Sequence, residues 1–300
     1  MTTLTRRQFL ELSAKMSVVL GLGSSAIPQV AEALEALTTG RSKVLWLQAQ
    51  SCSGCSISML DSESPGPAEL LTQYISLLFH HTLSAATGES CMHIVRKSVQ
   101  QGGYILVVEG SIPAGMPEAC MMGGIPVGEL IKQAAERADY VIALGTCAAF
   151  GGIPAAEGNP TGAVPLGPFL QANKIKTPII NIPGCPSHPD WLVGTLVHLC
   201  KFGLPPCDEQ RRPKMFFASK NHDKCPRFSD YEQENFARKF SDPGCLFKLG
   251  CLGVSTYADC TIRDRNGGTN ACIKAGAPCI GCSSPQFAQK KSLPFYRKSE

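Results

Sequence analysis

Three apolar runs in this 300-residue chain each stop on a cysteine. Lys43-Val44-Leu45-Trp46-Leu47 leads into Gln50-Ser51-Cys52-Ser53-Gly54-Cys55. Tyr140-Val141-Ile142-Ala143-Leu144 ends in Gly145-Thr146-Cys147, and Pro178-Ile179-Ile180-Asn181-Ile182 ends in Pro183-Gly184-Cys185. Short apolar runs closed by turn residues read as buried strands. Strands that finish this way bring Cys52, Cys55, Cys147 and Cys185 to the carboxyl edge of one sheet, where open α/β sheets bind their ligands. Thiolates converging there suit an iron–sulfur cluster or a structural zinc. The residues alone also allow a redox Cys-x2-Cys pair with Cys147 and Cys185 as small buried side chains.

The segments between these runs carry helical patterns. A proline-marked start over Asp61 to Pro67 precedes Leu70, Leu71, Tyr74, Ile75, Leu77 and Leu78, whose spacing predicts a helix. Tyr104 to Glu109 is a further apolar run, closed by Gly110; Val127 to Ala138 and Trp191 to Cys200 read as helices. This alternation predicts an α/β domain over residues 41–203 with a flavodoxin-like parallel sheet and helices on both faces. The first turn has neither Gly-x-Gly-x-x-Gly nor Gly-Lys-Ser/Thr, so no nucleotide site is expected. From about Leu204 to residue 300 periodicity fades, Pro and Gly rise, and seven of the 15 cysteines fall between Cys225 and Cys282. Such a segment needs staples in place of a conventional core.

A net charge of +4 gives no case for nucleic acid. So many cysteines mean disulfides in a secreted protein and metal in a cytosolic one. The N-terminus bears on this choice. Thr5-Arg6-Arg7-Gln8-Phe9-Leu10 is a twin-arginine pattern, followed by a weakly apolar stretch and small residues around Ala31 to Ala36. Residues 1–36 are therefore expected to be a Tat export signal, placing the mature protein in the periplasm. That route carries folded proteins with cofactors in place, so an exported chain need not be a disulfide protein. No run elsewhere reaches transmembrane length, and no anchor of its own is expected.

Two more cysteine constellations follow. His222-x2-Cys225 with Cys245-x5-Cys251 lies partly in the polar loop Lys220-Asn221-His222-Asp223-Lys224-Cys225. Imidazole can replace thiolate on iron, and the same donors could equally hold zinc. Cys260, Cys272 and Cys279-x2-Cys282 form the other set, closing in Ala277-Pro278-Cys279-Ile280-Gly281-Cys282-Ser283-Ser284-Pro285, a ferredoxin-like loop.

Together Cys-Ser-Gly-Cys, Glu109-Gly110-Ser111, the run from Gly145-Thr146-Cys147 to Ile153-Pro154, the run from Pro183-Gly184-Cys185 to Asp190-Trp191, the His-x2-Cys loop and Cys-Ile-Gly-Cys resemble the small subunit of nickel–iron hydrogenases, from the twin arginines to Pro294-Phe295-Tyr296. The resemblance implies an electron-transfer subunit in a heterodimer with a large subunit that holds the nickel–iron site. By it Cys52, Cys55, Cys147 and Cys185 hold a proximal cluster; His222, Cys225, Cys245 and Cys251 a distal one; and Cys260, Cys279 and Cys282 a medial one. Many relatives have proline where this chain has Cys272. A cysteine there implies three [4Fe–4S] clusters, as in the nickel–iron–selenium subgroup, with the medial one [3Fe–4S] if Cys272 is not a ligand. Oxygen-tolerant relatives add cysteines at positions matching Gly54 and Gly152, so the proximal cluster is expected to be the plain four-cysteine kind. The expected acceptor is a multihaem c-type cytochrome, and selenocysteine, if any, belongs to the large subunit.

Cys91, Cys120, Cys200 and Cys207 are left over, Cys200 reading as packing on an apolar helix. Ser53 reads as a turn residue and Glu109 as a loop cap. The rival readings are an independent multi-cluster ferredoxin-like carrier and a disulfide-rich scaffold.

Overall fold

The computed structural model describes residues 6–21, 23–28, 30–31 and 42–289. Its main elements, in chain order, are α1 (Arg6–Val19), β1 (Ser42–Gln48), α2 (Gly54–Met59), β2 (Ile75–Phe79), α3 (Gly88–Gln101), β3 (Ile105–Glu109), α4 (Val127–Arg137), β4 (Tyr140–Leu144), α5 (Gly145–Phe150), α6 (Leu166–Ala172), β5 (Ile179–Ile182) and α7 (Pro189–Phe202). The strands form one parallel sheet in the order β2-β1-β3-β4-β5, the flavodoxin-like arrangement, whose ligand crevice opens where the order reverses between β1 and β3.

Each strand is apolar on both faces because both faces are covered. On β1, Val44 and Trp46 point to one side and join Trp191, Leu192 and Leu196 of α7. Leu45 and Leu47 point to the other and join Val95 of α3 and Leu130 and Ile131 of α4. Along α4 the buried positions Val127, Leu130, Ile131, Ala134 and Ala135 repeat with helical spacing. Each fully buried Leu, Ile or Val contributes about 1.5–3 kcal/mol to such a core. α7 starts with Pro189 in its first turn, and His188 Nδ1 accepts from the Asp190 N–H at 3.1 Å.

The helix expected over Leu70 to Leu78 is corrected. A helical turn over Pro67–Glu69 widens through Leu70–Tyr74, and the chain then extends as β2, pairing Ser42 with Ile75 and Val44 with Leu77 on β1. Ile75-Ser76-Leu77-Leu78-Phe79 is a short branched and aromatic run, and ladder bonds to β1 outweigh its chance match to helical spacing.

Register lines up the carboxyl ends. Gln48 faces Glu109, Glu109 faces Leu144, and Leu144 faces Ile182. The loops carrying Cys52, Cys147 and Cys185 therefore leave the sheet side by side.

Beyond residue 204 the described chain is built of turns and short helices such as Lys214–Phe217, Asn221–Lys224 and Cys260–Arg263. Its own small core is Ala237, Leu246, Leu249, Ile273 and Cys279. It is fastened to the sheet region by Phe216 and Phe217, which enter the α7-side core, and by Trp191 Nε1, which donates to Asp259 at 2.8 Å. Arg212 is buried between the rings of Phe217 and Tyr257 and paired with Asp208 at 2.7 Å.

Of the expected signal, α1 is helical, and Met16, Leu20 and Val30 pack in the α7-side core. Residues 1–5 and 32–41, and the C-terminal Pro294-Phe295-Tyr296, lie outside the described residues. Among the described residues no helix is long and apolar enough to cross a membrane.

Candidate metal centres

At the carboxyl edge, the chain leaves β1, turns at Ser53 with a left-handed φ of 60°, and enters α2 at Gly54, placing Cys55 in its first turn. Orphan N–H groups at a helix start need acceptors. Glu109, 2% exposed at the end of β3, supplies them. Its carboxylate accepts from the Cys55 N–H at 3.0 Å, the Ser56 hydroxyl at 2.5 Å and the Gln48 amide at 3.2 Å. Glu109 thus fixes the backbone of a candidate ligand, a stronger role than the loop cap read from sequence. The signal was a lone carboxylate closing an apolar strand.

Cys147 follows β4 on α5, and Cys185 follows β5. The two loops are stitched together: the Thr146 N–H donates to the Gly184 carbonyl at 3.0 Å, and the Gly184 N–H donates to the Thr146 hydroxyl at 2.8 Å. At Gly145 φ is +82°, and a Cβ would lie 2.5 Å from Cys55 Sγ, so only glycine leaves room for that thiol. A side chain at Gly152 would meet Cys147 Sγ at 2.8 Å with φ at +54°, which fits a group of four cysteines without additions. Cys52 stays exposed at the edge.

These thiols feel one another. Burial pushes Cys55 well above its ordinary value, and Glu109, Cys147 and Cys185 add to the rise. Cys185 is pushed up to about 12, first by burial and then by Cys147, Cys282 and Cys52. Holding such a set as thiolates requires a compensating positive centre among them.

The two remaining sets each share one cavity. His222, Cys225, Cys245 and Cys251 line the first, with Phe247 and Ile273. Cys260, Cys272, Cys279 and Cys282 line the second, with Asn221 and the same Ile273. The Asn221 amide points at Cys279 Sγ at 3.8 Å, and the Arg227 N–H donates to Cys225 Sγ at 3.4 Å. The His222 ring lies 5.1 Å from Phe228 and 4.6 Å from Tyr231. Cys272 is exposed, at the mouth of its cavity, whereas Cys279 is buried. Burial raises Cys260 well above its ordinary value, with Cys282 adding to the rise.

The three sets abut in a row. At one end Thr146 Oγ1, next to Cys147, donates to the Cys282 carbonyl. At the other end the Cys279 N–H donates to Cys251 Sγ at 3.3 Å, and the Leu252 N–H to the Cys279 carbonyl at 2.8 Å. The set that comes last in sequence therefore sits in the middle. Among the described residues no three His, Cys, Asp or Glu side chains converge on a single metal ion. Four soft donors spaced around a cavity fit a polynuclear iron–sulfur group better than one zinc, whose ligands stand about 2.3 Å from the ion.

The other cysteines lie elsewhere. Cys91 and Cys120 pack against the core opposite α7, Cys200 packs on the α7 side with its Sγ 2.8 Å from Ser42 Oγ, and Cys207 Sγ lies 3.3 Å from the Pro205 carbonyl. All 15 are free thiols.

Comparison with known proteins gives concordant matches. Residues 52–199 match the family described as NADH ubiquinone oxidoreductase, 20 Kd subunit, and residues 217–296 match the C-terminal family of NiFe/NiFeSe hydrogenase small subunits. The periplasmic [NiFeSe] hydrogenase small subunit of Desulfomicrobium baculatum is 41% identical, over 98% of this chain and 99% of its own. The periplasmic [NiFe] hydrogenase small subunit of Solidesulfovibrio fructosivorans is 37% identical, over 98% and 93%. The solved [NiFeSe] hydrogenase of Desulfovibrio vulgaris Hildenborough superposes with a TM-score of 0.83 at 41% identity, over 87% of this chain and 99% of that one.

Proposed function

This chain belongs to the small subunits of nickel–iron hydrogenases, and from that membership we propose that it wires a large-subunit nickel–iron site to an external acceptor through three [4Fe–4S] clusters. Small subunits of this family transfer electrons and form a heterodimer with a large subunit. The finer assignment rests on one observation: three sets of four thiol or imidazole donors adjoin in a row, through Thr146 and Cys282 at one junction and Cys279 and Cys251 at the other.

In this reading Cys52, Cys55, Cys147 and Cys185 hold the proximal cluster, Cys260, Cys272, Cys279 and Cys282 the medial, and His222, Cys225, Cys245 and Cys251 the distal. Clusters bound there take up and release one electron each. The protein's part is to hold and shield the ligands. Glu109 pins the backbone of Cys55, Thr146 ties the β4 and β5 loops to Cys282, and Phe228 and Tyr231 screen His222. Exposed Cys52 marks the face toward the large subunit, and the polar loop Lys220 to Lys224 marks the exit. The acceptor is a multihaem c-type cytochrome, and a selenocysteine, if present, sits on the large subunit. Residues 1–36 act as the Tat signal, 41–203 as the proximal-cluster domain and 204–300 as the domain of the other two, in the periplasm.

Iron and acid-labile sulfide analysis of the purified heterodimer should return about thirteen irons per copy of this chain, about twelve in the clusters and one in the nickel–iron site, with about twelve sulfides. The chain purified alone should be brown but unable to consume hydrogen. A count far below twelve, or hydrogen uptake without a nickel subunit, would refute the reading. An independent ferredoxin-like carrier, by contrast, would run alone on gel filtration.

A further inference from the structure

Four arginines lie near the candidate centres; Arg227, beside the His222-side set, donates to the Asp242 and Gly244 carbonyls at 2.9 and 2.7 Å. Arg212 pairs with Asp208 at 2.7 Å, and Arg263 with Asp259 at 2.6 Å and Asp190 at 3.1 Å. Each of those charges is met by carboxylate. Among the described residues Arg265 is held by neutral oxygens: Nη2 donates to the Pro186 carbonyl at 2.6 Å, and Nη1 to Ser58 Oγ and the Ser187 carbonyl at 3.5 Å. Its neighbour Asp264 is engaged with Lys274 instead. The guanidinium is half-buried, so it is screened less than a surface charge.

Its place in the fold is specific. The Pro186 carbonyl it grips follows Cys185 directly, and Arg265 stands five residues after Cys260 on the turn that ends Cys260–Arg263. It therefore bridges the junction between the first and middle donor sets. The Asp264 N–H donates to the Cys260 carbonyl at 3.1 Å, so Arg265 stands one residue from the backbone of a middle-set donor.

We propose that the Arg265 guanidinium sets the potential step at this junction, raising the reduction potentials of the middle and Cys52-side clusters relative to that of the His222-side cluster. The physical cause is charge. Reduction adds one electron to a cluster and makes it more negative, and a fixed cation nearby stabilises that state. The inference rests on the three-cluster reading above.

The test is a reductive titration followed by EPR on the intact heterodimer, comparing wild type with R265Q and R265K. R265Q should lower the middle and Cys52-side potentials, with the His222-side potential shifted least as internal control. R265K keeps the charge and should restore most of both. Ser58→Asp supplies a second route, because a carboxylate beside the guanidinium cancels its charge without removing it, and the same two potentials should fall. If R265Q fails to assemble, the S58D titration decides alone. Potentials unchanged in the variants, or equal shifts at all three clusters, would overturn the proposal. Iron counting separates the two claims: a wild-type heterodimer lacking the clusters sinks the wiring scheme, whereas full iron with unmoved potentials sinks only the role of Arg265.

Discussion

Two side chains decide how well the ligands are held. Glu109 collects three donors in a buried position, so removing its acceptors strips the Cys55 N–H of its partner and leaves the Ser56 hydroxyl to His80 Nε2 at 3.0 Å. Each such loss costs about 1–3 kcal/mol. Glu109→Ala should lower the thermal midpoint of the heterodimer clearly, and Glu109→Gln, which keeps one carbonyl acceptor, should lower it less; equal midpoints for all three proteins would count against the bracing role. Cys272 lies at the cavity mouth with Cys260, Cys279 and Cys282. Cys272→Ser should cost about one iron of twelve and produce a three-iron EPR signal in the oxidised heterodimer; an unchanged spectrum would mean it is not a ligand. The sequence revealed every cysteine of this set through spacing and resemblance. It did not reveal Glu109 as a brace, because what matters is the register that brings the end of β3 beside the start of α2, a contact between residues far apart in the chain. Arg265 was hidden for the same reason.

Among elements, the strands that end on cysteine were legible because fully buried parallel strands are written as unbroken apolar runs. β2 was not, since Pro67 to Tyr74 is helical and runs without a break into an edge strand, and a five-residue apolar run carries no decisive period. The helix α3 has a modest apolar stripe, Met92, Val95 and Val99, and went unread. The loop after β4 depends on Gly145, where φ is +82° and the Cys55 thiol occupies the space a side chain would need. Gly145→Ala should displace that thiol and cost the heterodimer about four irons, with the other two clusters intact by EPR; full iron retention would show that the loop relaxes freely. The cost to stability of forcing alanine into that conformation is about 1–2 kcal/mol.

For the whole molecule, the linear order of the motifs misleads about the order in space: the closing Cys279-Ile280-Gly281-Cys282 folds back between the other two sets. Only the family resemblance carried that information, because sequence spacing contains no three-dimensional path. The expected signal is a testable matter at this scale. Replacing Arg6 and Arg7 by lysine should leave the unprocessed precursor and its large subunit in the cytoplasm on fractionation; normal export would remove the Tat assignment. The last third of the chain carries one more implication. Its small core counts Cys279 among its five buried members, with Cys225 and Cys251 packed against it, so the residues that would grip iron are also the residues that would have to condense to make a globule. An apoprotein half of this kind has no finished vessel waiting to be filled. Acquiring metal and becoming folded are there a single event, and the cell must deliver iron and sulfide to a chain that is still open.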